Sequence, residues 1–227
     1  MTTAGMQRLL TGIDRETAMT VHYTGIGHLD PAVMEAVASV PREQFVPPDL
    51  RAHAYDNRPL PIGHDQTISQ PYIVALMTHL LKPRPGMRIL EVGTGSGYQA
   101  AILSHLVEQV YSIERVAALS AVTAQTLAQL GIHNVELIVG NGYLGWEAHA
   151  PYDGIIVTAA ANEVPPALLQ QLAVGGRLVI PVGPPYGHQE LMLIEKQDDG
   201  SVNSRSILPV AFVPLFDNGP ETTVNTD

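Results

Sequence analysis

Short apolar runs alternate with stretches of helical period through the middle of this 227-residue chain, and glycine and proline punctuate both. Residues 88–92 read as a buried strand. Its exit is a turn at Gly93, Gly95 and Gly97, and the spacing of Ala100, Ala101, Leu103 and Leu106 predicts a helix opening there. Residues 110–113 supply the next strand, which ends at Glu114. Ala and Leu recur at helical spacing over 116–130, and Gly131 stops that helix. Residues 135–139, 152–158 and 176–182 read as three further strands, with a helix over 165–172 before the last. Ahead of this alternation the pattern predicts helices over 6–19 and 31–40, the second with Asp30 as N-cap and Pro31 in its first turn. A third helix opens at Pro71 and runs through Leu81. Behind the alternation, 191–195 and 206–213 form a β-rich tail. Strand followed by helix, repeated, predicts an α/β fold: a doubly wound, mostly parallel Rossmann-like sheet with N-terminal helices, its ligand at the carboxyl ends of the strands.

The glycine turn carries the first chemical signal. Three residues without Cβ let the backbone approach a ligand closely. A carboxylate at Glu114, on the end of the second strand, is placed to accept both hydroxyls of a ribose. The run Gly95-Ser-Gly97-Tyr-Gln-Ala100 also fits a dinucleotide loop with Ala in its last place, so the loop alone leaves NAD open. Glu91 separates the two. A carboxylate just before the first glycine repels a pyrophosphate but suits the ammonium end of an amino-acid-like cofactor, which favours S-adenosyl-L-methionine. The chain contains no G-x-x-x-x-G-K-[ST] loop for a nucleoside triphosphate.

Composition narrows the class. The formal charge is −10 with 45% apolar residues, and no basic run is present to attract nucleic-acid backbone. With no cysteine, disulfides, thiolate catalysis and Cys-based metal sites are excluded. The histidines are scattered without ligand spacing, so no metal is expected. The opening MTTAGMQRLL lacks the basic start and apolar core of a signal peptide, and no apolar run reaches membrane-spanning length. The expected location is the cytoplasm, with no membrane contact and no stable protein partner. Residues 1–227 read as one domain: 1–87 as helical lead and substrate loop, 88–183 as cofactor-binding core, 184–227 as C-terminal strands and tail.

A second patch, PLPIGHDQTISQP over 59–71, combines Pro, Gly and hydroxyl residues and predicts an ordered loop. Ser69 and Gln70 sit at the mouth of the helix that Pro71 opens, where free N–H groups and the helix dipole favour an anion such as a substrate carboxylate. Capping by Thr67, Ser69 and Gln70 explains the same residues equally well. Gly183-Pro-Pro-Tyr186 reads as a loop turn. Trp146, near the third strand's exit, covers a cofactor in one reading and is ordinary packing in the commoner one.

Two separated signatures point to one family. The blocks VPREQFVPPDLRAHAYDNRPLPIGHDQTISQPYIVALMTHLL, ILEVGTGSGYQAAILSHL, YSIER, PYDGIIVTAA and LAVGGRLVIPVG resemble the protein-L-isoaspartate O-methyltransferases, in the same order, from about residue 40 to 215. The resemblance implies a class I S-adenosylmethionine-dependent fold. It also implies methyl transfer to the α-carboxylate of L-isoaspartyl residues in damaged proteins and peptides, with S-adenosyl-L-homocysteine as product. The ester then closes to a succinimide that opens partly to aspartate. By the same resemblance Ser69 is the active-site hydroxyl. Gln66, Thr67 and Ile68 contribute cofactor or substrate contacts, Glu91, Gly93, Gly95 and Gly97 surround the methionine part of the cofactor, and Glu114 holds its ribose. Phe212-Val-Pro-Leu215 resembles the family's substrate-side strand.

One departure stands out: the family's Gly-Asp-Gly after the third strand is Gly140-Asn141-Gly142 here. The amide oxygen of Asn141 still accepts from an adenine amino group, with Gly142 beside it, provided the side chain is oriented correctly. An Asn followed by Gly is also expected to deamidate readily. Two other readings share these motifs: a carboxylate methyltransferase that tailors a dedicated peptide, and a non-catalytic S-adenosylmethionine-binding protein.

Overall fold

The structure is a computed structural model describing residues 3–217, so most of the acidic end of the tail lies outside the described residues. Helix α1 (Ala4–Thr24) runs longer than the apolar spacing predicted and ends at Gly25, whose φ of 70° closes it through the Gly25 N–H to the Val21 carbonyl. Helix α2 (Pro31–Ser39) opens as expected, with the Asp30 side chain accepting from the Ala32 N–H. Two short 3-10 turns, Arg42–Phe45 and Pro48–His53, follow.

The loop expected over 59–71 contains a small antiparallel hairpin, β1 (Leu60–Gly63) and β2 (Gln66–Ile68). Its two turn residues, His64 and Asp65, both have positive φ, 53° and 55°. Positive φ at both central positions is what a tight two-residue hairpin turn requires, and neither residue is the glycine that usually signals it. Helix α3 (Pro71–Leu81) then begins at Pro71.

The remaining elements are β3 (Arg88–Val92), α4 (Tyr98–Ser104), β4 (Gln109–Glu114), α5 (Ala117–Gln129), β5 (Val135–Val139), β6 (Tyr152–Val157), α6 (Pro166–Gln171), β7 (Leu172–Val182), β8 (Gln189–Lys196) and β9 (Val202–Val210). They build a seven-stranded sheet in the order β5-β4-β3-β6-β7-β8-β9. The first five strands in that order run parallel, while β7–β8 and β8–β9 are antiparallel. Strand β7 starts four residues before the predicted 176. β9 stops at Val210, because the chain then leaves the sheet and crosses towards Ala160, which donates to the Val213 carbonyl at 2.8 Å and accepts from the Leu215 N–H at 2.7 Å.

Alternation along β3 shows why the sheet is buried on both faces. Ile89 joins the core under α1 to α4, and its neighbour Leu90 joins the core on the opposite face with Leu168 of α6; both are fully buried. Glu91 shares the Ile89 face. Strand order reverses between β3 and β6, so their carboxyl ends part at a crevice, and the site is built there.

Candidate active site

Two cavities meet at this crevice. The first is a narrow cleft of about 60 Å³ lined by Gln66 and Thr67 of β2, Gly93 and Gly95 of the glycine turn, Glu114 of β4 and Gly142. Leu215 and Phe216 also line it. The second, of about 460 Å³, lies between α1, the start of α3 and the segment after β9, and Ser69 is on its wall. Thr67, Thr158 and Val213 line both. The expected substrate segment therefore divides: Phe212 faces the larger cavity, Leu215 the narrow cleft, and Val213 both.

Close packing fixes the glycine turn. Gly93, with φ 94°, lies so near Thr158 that a Cβ would sit 2.5 Å from its Oγ1. The Thr158 hydroxyl donates to the Val92 and Gly93 carbonyls, tying β3 to β6 across the switch point. Gly97 is equally tight against Thr123, whose hydroxyl donates to the Gly95 carbonyl at 2.8 Å. Gly97 thus shapes the turn from behind and is absent from the lining of the narrow cleft. Ile68 is buried, on the small gap between Ser69 and the glycine turn.

The two acids differ. Glu114 reaches the cleft and accepts one N–H on each oxygen, from Gly95 at 2.7 Å and Val116 at 2.8 Å. Each oxygen keeps a lone pair for a further donor. Glu91 is fully buried and not part of the lining, and one of its oxygens accepts from the Ser112 hydroxyl while the other has no partner. Complete burial pushes its carboxyl up to about 8, against the lowering effect of Ser112. Glu91 therefore lies beneath the turn as a neutral acid near pH 7, not as a carboxylate open to the cleft. The glycine backbone at Gly93 and Gly142 and the free lone pairs of Glu114 fit a cofactor with a ribose.

Asn141 is held at both ends. Its Oδ1 accepts from the Tyr143 N–H at 2.9 Å, and its Nδ2 donates to the Asp217 carbonyl at 2.7 Å. Gly142, its neighbour, lines the cleft, whereas Asn141 is not on that lining. An aspartate here would lose the donor to the tail. The anchored amide also opposes the attack of the Gly142 nitrogen on the Asn141 side-chain carbonyl, with loss of ammonia, that deamidation requires. Trp146 packs edge-on against Tyr111 and His149 and takes no part in the cleft.

Sequence reading missed what holds Ser69. Arg42 is completely buried, and its guanidinium donates to the carbonyls of Ala54, Asp56, Arg58 and Ser69, the last at 3.0 Å. Desolvation lowers it to about 10, so it stays charged at neutral pH. Asn57 adds a second clamp. Its Oδ1 accepts from the Tyr72 N–H at 2.9 Å, its carbonyl accepts from Gln70 Nε2 at 3.1 Å, and its Nδ2 donates to Glu16 at 3.4 Å. The Ser69 hydroxyl makes no hydrogen bond with the described residues, so it is free for a ligand.

Gly93→Ala combines a positive φ with a Cβ collision. It should weaken binding of S-adenosyl-L-homocysteine by about tenfold or more, as read by calorimetry, because strain of ~1–2 kcal/mol adds to the displacement of Thr158. Glu91→Gln has a pH signature. A raised folded-state pKa means that the stability tied to the protonated acid is complete below the unfolded value of 4.5 and is lost as pH rises towards about 8. The variant should gain in denaturation midpoint relative to the parent at about pH 9 and much less at about pH 5. Equal differences at both pH values would contradict a buried neutral Glu91.

Comparison with known proteins agrees with this geometry. The family model for protein-L-isoaspartate(D-aspartate) O-methyltransferase matches residues 16–219. A protein-L-isoaspartate O-methyltransferase 2 of Polaromonas sp. is 56% identical over 210 residues, covering 92% of this chain and 98% of that protein. A solved putative protein-L-isoaspartate O-methyltransferase of Plasmodium falciparum, in complex with S-adenosyl-L-homocysteine, superposes with a TM-score of 0.77 at 27% identity, covering 92% of this chain and 97% of that one. Another solved protein-L-isoaspartate O-methyltransferase gives a TM-score of 0.79 at 28% identity over 92% of this chain, which spans 65% of that longer chain. With the family model matching nearly the whole described chain, this protein belongs to the protein-L-isoaspartate(D-aspartate) O-methyltransferase family.

Proposed function

We infer that the junction of the two cavities is where a methyl group passes to the α-carboxylate of an L-isoaspartyl residue, with Ser69 holding that carboxylate. The chain is an S-adenosylmethionine-dependent protein-L-isoaspartate carboxyl O-methyltransferase of the repair type. No described helix is long and apolar enough to cross a membrane. The observation that carries the assignment of the site is the shared wall of Thr67, Thr158 and Val213, which puts the Ser69 cavity directly against the glycine-turn cleft.

On this reading Gln66, Thr67, Gly93, Gly95, Glu114 and Gly142 hold the cofactor. Glu91, Gly97 and Asn141 support that surface from behind, and Ile68 packs below the junction. When bound, S-adenosyl-L-methionine supplies an activated methyl on a sulfonium. A carboxylate is already a competent nucleophile, so the residues need to orient it and exclude water, not to remove a proton. Ser69 donates to one carboxylate oxygen and leaves the other in line with the methyl, while Arg42 and Asn57 keep the serine from drifting. The apolar wall of Ile73, Phe212 and Val213 excludes water from the approach.

The test is methyl transfer from labelled S-adenosyl-L-methionine to two matched short peptides, one with L-isoaspartate and one with aspartate. Base-labile label on the isoaspartyl peptide alone is the expected result. In Ser69→Ala, loss of one hydrogen bond to a charged group, ~1.5–3 kcal/mol, should reduce kcat/KM about 10- to 100-fold with cofactor affinity unchanged. Full methylation by that variant would remove Ser69 from this role.

A further inference from the structure

The larger cavity carries a charge that the methyl-transfer chemistry does not use. Glu16 and Thr20, one turn apart on α1, form its far wall. Thr20 is committed to the fold, since its hydroxyl is 2.5 Å from the Tyr72 hydroxyl. Glu16 is not. Its single side-chain partner among the described residues is the neutral amide of Asn57, at a long 3.4 Å. The cavity lining contains no Lys, Arg or His. A half-buried carboxylate facing a peptide-sized cavity, without a cation beside it, attracts a positive group and repels a negative one.

We propose that Glu16 is a specificity-determining residue that selects a cationic side chain flanking the isoaspartyl residue of the substrate and disfavours an acidic one. This rests on the reading of the cavity as the substrate site. Apolar surface at Ile73, Leu208 and Phe212 accommodates the stem of a Lys or Arg while its charged end meets Glu16. The reacting α-carboxylate, held at Ser69, is common to every substrate, so the preference appears only in the flanking residue.

The experiment uses isoaspartyl peptides of one length carrying Lys, Gln or Glu at each flanking position in turn, methylated by the intact enzyme and by Glu16→Gln. Gln keeps an oxygen to accept from Asn57, so the contact between α1 and the Ser69 loop survives. At one or more flanking positions the parent should prefer Lys over Glu by about three- to fivefold in kcat/KM, the range of a partly exposed ion pair. Added salt should shrink that spread. The variant should level it while keeping kcat/KM on the Gln peptide within about twofold. No spread in the parent, or a spread that Glu16→Gln leaves intact, would overturn the role of Glu16 and leave the methyl-transfer reading standing. Failure of the parent to methylate even the Gln-flanked isoaspartyl peptide would overturn both.

Discussion

A buried guanidinium without a carboxylate organises the substrate side of this enzyme. Arg42 sits at zero exposure and makes no ion pair among the described residues. Removing such a charge from water is expensive unless its donors are met. Here four carbonyls, from Ala54, Asp56, Arg58 and Ser69, meet the donors of the two terminal nitrogens, while Nε has no hydrogen-bond partner among the described residues and the Tyr98 ring lies with its centroid 5.6 Å from the guanidinium carbon. Two segments separated in sequence, 54–58 and 69, are thereby tied to one fixed point. The hairpin β1–β2 hangs between them, so Thr67 and Ser69 are presented as parts of a braced loop.

The cofactor side depends on a different constraint, close approach of backbones where strand order reverses. Thr158 directly follows β6 and bonds back to the carbonyls of Val92 and Gly93, which only a residue without Cβ permits at Gly93. The same threonine lines both cavities. Its hydroxyl therefore joins the two halves of the reaction: a shift of β6 relative to β3 would move the cleft and the substrate wall together. The chain after β9 completes the enclosure, pinned by Ala160 and by the Asn141 amide to Asp217.

Much of this was legible in the sequence because periodicity is local. The five parallel strands, the helix starting at Pro71 and the glycine turn all appear near their predicted positions, since apolar alternation and glycine placement encode them directly. The hairpin at His64-Asp65 was not, because its positive-φ turn lacks glycine. From its place on the motif Glu91 reads as a carboxylate open to the cofactor; its burial follows from the pleat of β3, which points it into the core with Ile89. In sequence Thr158 is only the last residue of the strand read over 152–158, and no spacing or motif singles out Arg42. Their roles come from contacts between distant segments, and no spacing in the chain announces those. Asn141 was legible as a departure from the family, but its bond to Asp217 required the tail to be in place.

The account rests most on Arg42 fixing the position of Ser69, and the direct measurement is the kinetics of Arg42→Lys alongside its affinity for S-adenosyl-L-homocysteine. An ammonium keeps the charge but cannot span four carbonyls arranged around a planar fork. The expected result is a fall of about tenfold or more in kcat on an isoaspartyl peptide, with a smaller loss of cofactor affinity, because Gln66 and Thr67 alone of the cleft's lining belong to the hairpin that Arg42 braces. Unchanged kcat, or a loss of cofactor affinity equal to the loss of turnover, would contradict it.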